Sequence, residues 1–196
     1  MSPRGVAIPE LRERLFAAAE RVLARDGAGA LTSRAVTDEA GCAKGVLHAH
    51  FEGFDTFVAD LVLSRFETAA ALALDLPARA GEGSVVENLA EVSGAVLSLD
   101  PGLVGLAVTR PVAAQRVREA WRAGAPGFGV IEECVARYLR AEQDAGRAPA
   151  GLDAGSAALA LVGTLHHLLM TGPEEPAASR ERVGRLLRAL VGAGGV

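Results

Sequence analysis

Lysine, cysteine and aromatic side chains are scarce in this chain. Among 196 residues there are two cysteines, one tryptophan, one tyrosine, six phenylalanines and, at Lys44, a single lysine. Cys42 and Cys134 stand far apart and form neither a Cys-x-x-Cys pair nor a secretory framework, which excludes a disulfide-framed mini-protein and fits a reducing compartment. The opening residues run straight into charge without the apolar core of a signal peptide, so the expected location is cytoplasmic. Sustained apolar-polar alternation with β-branched enrichment is also missing, which excludes a strand-based fold. Excess positive charge is missing too: the net charge is -4 and the pI about 5.6, so any binding of nucleic acid must rest on positioned contacts and not on a global basic field.

Half of the residues are hydrophobic and 22% are charged, the balance of a globular chain that buries a core. The longest uncharged stretch, Ala154 to Pro173, holds Gly155, Gly163, Thr164, His166 and His167 and lacks basic flanks, so it reads as a buried helix and no membrane partner is expected. No zinc-protease helix, nucleophile elbow or phosphate loop is present, and no enzyme is expected. His48 and His50 are two apart and His166 and His167 are neighbours, so neither pair shares a helix face; no metal and no cofactor are expected.

Apolar residues recur at three-to-four spacing almost throughout, and the fold class is all-α. A first helix carries the stripe Leu11, Leu15, Ala18, Ala19 and Val22 and stops at Asp26-Gly27. Two short helices follow, over Ser33 to Ala40 with Thr32 as cap and over Lys44 to His50, joined at Gly41. A longer helix runs from Phe54 to about Leu76, and Pro77 with Gly81-Glu82-Gly83 reads as a flexible joint. Further helices are expected over Ser84 to Leu99, Gly102 to Arg110, Val112 to Ala123, Phe128 to Ala145, Leu152 to Thr171 and Ser179 to Val191, each bounded by proline or glycine. A loop is expected at Gly172-Pro173-Glu174-Glu175-Pro176, and fraying over the last five residues.

Leu31 to Phe51 carries the most information, because two short helices joined through a glycine can lay the second into a DNA major groove. Val36, Ala40, Cys42, Leu47 and Phe51 form the inward set and leave Lys44, Gly45, His48 and Ala49 outward. The segment resembles the helix-turn-helix of the TetR family of transcriptional regulators, whose form is T-x-x-x-I-A-x-x-A-G-V-S-x-G-x-L-Y-x-H-F. The spacing from Thr32 through Gly41 to Phe51 matches without a gap. The resemblance implies DNA contacts by Thr32, Ser33, Arg34, Ala43, Lys44, Gly45, Val46, His48 and Ala49. His48 takes the place of a tyrosine that commonly contacts a phosphate, and imidazole can do the same. Ala43 replaces a helix-start serine, Phe54 stands where relatives often carry a phosphate-binding lysine, and Cys42 reads as a small buried residue of the turn.

Residues 1 to 60 hold seven Lys or Arg and nine Asp or Glu, so even this module has no net positive charge. Arg34, Arg12 and Arg14 are the next candidates for phosphate contact, although for Arg12 and Arg14 a solvated helix face is an equal reading. His50 reads as a packing or helix-terminal residue.

The remaining chain suits a helical bundle that either packs solid or leaves a ligand cavity. The resemblance implies that Phe66, Trp121, Phe128 and Tyr138 fall on pocket-lining helices, with His166 as a polar handle; core packing competes for each. Leu161, Leu165, Leu168 and Leu169, with Val183, Leu186, Leu187 and Leu190, are the candidate homodimer interface.

The expected organisation is a DNA-binding domain over residues 1-55 and a ligand-binding and dimerisation domain over 56-196. The expected function is a dimeric regulator, a repressor released from a palindromic double-stranded DNA operator by a small-molecule effector, with the helix from Phe54 as coupling element. The alternative is a helical ligand-binding or protein-interaction dimer that has lost useful DNA affinity.

Overall fold

The computed structural model describes residues 8–171 and 176–192; the expected loop at 172–175 and the last four of the five terminal residues lie outside them. Ten α-helices follow one another, with no strand among the described residues: α1 Ile8–Asp26, α2 Ser33–Glu39, α3 Val46–His50, α4 Phe54–Asp75, α5 Val85–Leu97, α6 Pro101–Thr109, α7 Pro111–Arg122, α8 Phe128–Asp144, α9 Ala154–Thr171 and α10 Pro176–Val191. Short 3₁₀ turns at Ala28–Ala30 and Leu76–Arg79 complete the path. The proline and glycine punctuation therefore located every helix, with ends displaced by one to three residues.

The helices gather into two compact units. One takes the chain as far as Val62 together with Gly102–Arg118; the other takes Leu63–Pro101 and the chain from Glu119 onward. A linear division at residue 55 leaves α6 and most of α7 outside the N-terminal unit, because a contact made by a distant segment leaves no local mark.

The core of the N-terminal unit is aromatic. Phe57 is fully buried, and its ring meets those of Phe51 at 5.0 Å edge-on, Phe16 at 5.6 Å and Phe54 at 6.0 Å. Leu15, Ala18, Ala19 and Val22 from the expected α1 stripe are buried with them, as are Val36 of α2 and Leu47 of α3. Phe54 thus fills a packing role at the position where the sequence resemblance points to a phosphate-binding lysine, and the guanidinium of Arg110 lies 5.0 Å over its ring while pairing with Asp55.

In the second unit α9 packs against α5, α8 and α10. By length and composition α9 could cross a membrane, but Ala154, Ala157, Ala158, Leu161, Val162, Leu165, Leu168 and Leu169 face the bundle and are buried, the mark of a core helix.

The segment expected to be a flexible joint is pinned instead. Leu76 is fully buried, the Gly81 amide donates to Glu142 Oε1 at 3.1 Å, Asn88 Nδ2 donates to the Glu82 carbonyl at 2.9 Å, and Arg147 donates to the Gly83 carbonyl at 2.6 Å. Glycine there supplies left-handed backbone at Gly81 and Gly83, with φ of 88° and 56°, rather than freedom.

Glu142 is completely buried, and its second oxygen lies 3.0 Å from Arg147 Nε without hydrogen-bond alignment. Arg147→Ala should therefore lower stability by about 2–4 kcal/mol, since it leaves a buried carboxylate without its cation. Denaturant unfolding followed by the fluorescence of Trp121, which lies in the same unit, measures this; a loss below about 0.5 kcal/mol would mean that Glu142 needs no countercharge.

Candidate nucleic-acid interface and ligand site

The helix-turn-helix is built from local signals that each do one job. Thr32, in extended backbone, accepts the Ala35 amide on Oγ1 at 3.1 Å and starts α2. Gly41 ends it with φ of 63°, its amide bonding the Asp38 carbonyl and that of Cys42 the Thr37 carbonyl, the paired closure that a glycine after a helix permits. Thr37, outside the expected inward set, is buried and returns its hydroxyl to the carbonyls of Ser33 and Arg34.

The second helix is shorter than expected. It begins at Val46 and not at Lys44, because Ala43 has no side chain to cap it and Gly45, which takes the cap position, has none either. Ala43 and Lys44 belong to the turn that leads in, with the Val46 amide bonded to the Ala43 carbonyl at 3.0 Å.

Of the expected DNA-facing residues, Thr32, Arg34, Ala43, Lys44, Gly45, His48 and Ala49 are exposed, and Ser33 and Val46 are half-buried. Lys44 has neither ion pair nor hydrogen bond among the described residues. Leu47 and Phe51 anchor the helix from beneath. Cys42, expected as a small buried residue, is only half-buried in the turn, and half-buried His50 closes α3.

The four arginines of α1 are engaged within the protein. Arg12 pairs with Asp60 at 3.1 Å and lies 4.8 Å over the Phe51 ring, and Arg116 reaches the same carboxylate at 2.9 Å. Arg21 and Arg25 of α1 hold Glu39 of α2 at 2.7 and 2.8 Å, and their hydrogen bonds lower the Glu39 pKa below the usual carboxylate range. Arg14 donates to the Ala40 carbonyl and to Cys42 Sγ. The structure thus gives Arg12 and Arg14, read as candidates for phosphate contact or for a solvated face, intramolecular partners that the sequence does not reveal. Arg34 keeps only Asp38, one turn on, at 3.5 Å on the exposed face.

In the second unit four of the five expected ligand residues come together. Phe66 of α4 meets Trp121 of α7 at 5.3 Å and Phe128 of α8 at 5.0 Å, both edge-on, and Phe128 meets His166 of α9 at 5.2 Å. Phe66 is fully buried, Trp121 and Phe128 are half-buried and His166 is exposed, so the cluster runs from core to surface.

The indole N–H of Trp121 is buried with no acceptor among the described residues. It rests on Gly127, where a Cβ would stand 2.5 Å from Nε1, so only glycine fits beneath the ring. Tyr138 lies elsewhere: its hydroxyl accepts Asn88 Nδ2 at 2.9 Å, and burial pushes the phenol up to about 12 against the pull of that amide. Among the described residues no group of three His, Cys, Asp or Glu side chains is placed to hold a metal.

The candidate dimer residues are used inside the single chain. Leu161, Leu165, Leu168, Leu169, Val183 and Leu187 are all buried, and Leu186 and Leu190 are half-buried. The outer face of α9 presents Ser156, Ala160, Gly163, His167 and Met170, with Leu159 beside them at 59% exposure.

Residues 15–59 match the family model described as bacterial regulatory proteins, tetR family. No functionally curated protein matches the chain. Among solved structures, a protein described as a TetR-family transcriptional regulator from Mesorhizobium loti superposes with a TM-score of 0.70 at 16% identity over 98% of this chain and 100% of that one. A transcriptional regulator from Saccharomonospora viridis in complex with choline gives 0.67 at 16% identity, over 93% of this chain and 98% of that one. The regulator FadR from Bacillus subtilis, in complex with stearoyl-CoA, gives 0.61 at 19% identity, over 89% and 96%.

Proposed function

We propose that this chain, whose N-terminal module is a tetR-family helix-turn-helix on a TetR-family regulator fold, is a DNA-binding transcriptional regulator that acts as a homodimer in the cytoplasm. Its role is that of a repressor released from a palindromic operator by a small molecule. The observation that carries the reading is the exposed set Thr32, Lys44, His48 and Ala49 around a recognition helix whose other side is fixed by Leu47 and Phe51. Lys44 and His48 supply phosphate contacts, while Gly45, Val46 and Ala49 let the backbone approach base edges. Residues 1-55 form the reading domain and 56-196 the sensing and dimerising domain. No covalent step is required, and no enzyme activity is assigned.

The ring cluster Phe66, Trp121, Phe128 and His166 is the proposed effector site, with the exposed His166 as its polar handle. Choline and stearoyl-CoA, bound by two proteins of this fold, support a ligand-responsive reading without identifying the effector. Helix α4 contributes Phe57 to the aromatic core of one unit and Phe66 to this cluster, which makes it the natural coupling element. A hundredfold loss of operator affinity needs about 2.7 kcal/mol of coupling.

For the dimer, the outer face of α9 takes the place of the buried leucines: Ala160 and Gly163 permit close approach, and Leu159 and Met170 supply apolar area.

Selection from a random DNA pool by the purified protein tests the reading. A palindrome whose half-sites lie about one helical turn apart, or a multiple of it, is the expected product. Folded, dimeric protein that enriches no sequence would favour the DNA-silent ligand-binding module.

A further inference from the structure

The turn between the two short helices is held from outside, by a residue of the first helix. Helix α2 leaves its last carbonyls without intrahelical partners, and the glycine closure at Gly41 and Cys42 satisfies those of Thr37 and Asp38 but not that of Ala40. Arg14 supplies the missing donor: its Nη2 lies 3.2 Å from the Ala40 carbonyl and 2.9 Å from Cys42 Sγ, twenty-six and twenty-eight residues away in sequence. The Cys42 thiol approaches the same carbonyl at 3.6 Å, so guanidinium, thiol and carbonyl form one small knot. A cation at this end of α2 also complements the helix dipole.

Three residues separate this knot from α3. That helix has five residues and no capping side chain, too short to hold a direction by itself, and the buried Leu47 and Phe51 anchor it from below. Its tilt is therefore set by the turn at one end and the core at the other.

We propose that Arg14 is a positioning residue for DNA recognition: by fixing Ala40 and Cys42 it sets where Lys44 and His48 stand, without touching DNA itself. The proposal rests on the DNA-binding reading, but the state of the turn can be measured without DNA. Cys42 is the half-buried thiol and Cys134 the buried one, so alkylation by iodoacetamide reports on the turn.

The experiment compares wild type with Arg14→Ala and Arg14→Lys, by thiol alkylation of the free protein and by binding of a duplex carrying the selected site across a salt series. Arg14→Ala should alkylate at Cys42 several times faster. It should lose operator affinity by about tenfold or more while keeping the wild-type salt slope, as expected when hydrogen bonds within the protein are lost and phosphate contacts are kept. Arg14→Lys, with one compact donor group, should fall between, and Arg14→Gln supplies the same comparison if the alanine variant does not fold.

A salt slope reduced by about two units in the dimer, with alkylation unchanged, would make Arg14 a phosphate contact and overturn the proposal. Faster alkylation with wild-type affinity would overturn it as well, because the turn would then not govern recognition. If selection recovers no DNA site, the regulator reading fails, and unchanged alkylation then separately removes the knot while faster alkylation retains it as a structural latch.

Discussion

Lys44→Ala is expected to weaken operator binding by about a hundredfold in the dimer, from a loss of about 1.4 kcal/mol at each half-site, close to the lower end for a hydrogen bond to a charged group. The melting temperature should not change, because Lys44 is exposed and has no partner within the described residues. The salt slope should fall by about two units, one per protomer. A variant that binds as wild type would remove Lys44 from the interface, and one that loses affinity together with its melting temperature would show that the residue serves the turn. Competition binding at two ionic strengths, beside a thermal scan, separates these outcomes.

Phe57→Ala should have the largest effect on stability. The ring is wholly buried among Phe16, Phe51 and Phe54, and its removal leaves a cavity that the stiff neighbouring rings cannot fill, at a cost of about 3–5 kcal/mol. Because Phe51 is one of the two anchors beneath α3, the loss should appear as faster amide hydrogen exchange across α1 to α3, and operator binding should disappear with it. A cost below about 1 kcal/mol would mean that the aromatic core can close over the gap.

What could be read in the sequence depended on how far apart the interacting residues lie. Thr32 as a cap and Gly41 as a left-handed terminus act within four residues, so their pattern locates the helix-turn-helix directly. Prolines and glycines locate the helices of the bundle in the same way. Leu47 and Phe51 were legible as anchors because their spacing matches the helix.

The start of α3 was not, because Lys44 looks helical by spacing and only the missing cap at Gly45 excludes it. Nor were the partners of Arg12 and Arg14, at Asp60 and at the turn, since nothing near either arginine points to residues far along the chain. The apolar stripe of α9 and α10 was visible, but a stripe does not say what covers it; Leu161 and Leu165 turn out to serve their own bundle. Tyr138 was grouped with Phe66 and Trp121 by residue type, and its hydroxyl instead belongs with Asn88. The segment around Gly81 looked loose in composition, whereas Glu142 and Arg147, from a distant helix and the residues after it, hold it in place.

The module has no net positive charge and its α1 arginines are engaged inside the protein, so on the proposed reading the described residues offer DNA few positioned contacts: Lys44, His48 and, where it leaves Asp38, Arg34. The most direct test is the salt dependence of wild-type binding to its selected palindrome. With one to three cations per protomer reaching phosphate, the logarithm of the binding constant should fall against the logarithm of salt concentration with a slope between about −2 and −5. A slope steeper than about −7 would need about four cations per protomer at phosphate, more than the proposed contacts supply, and would contradict the account.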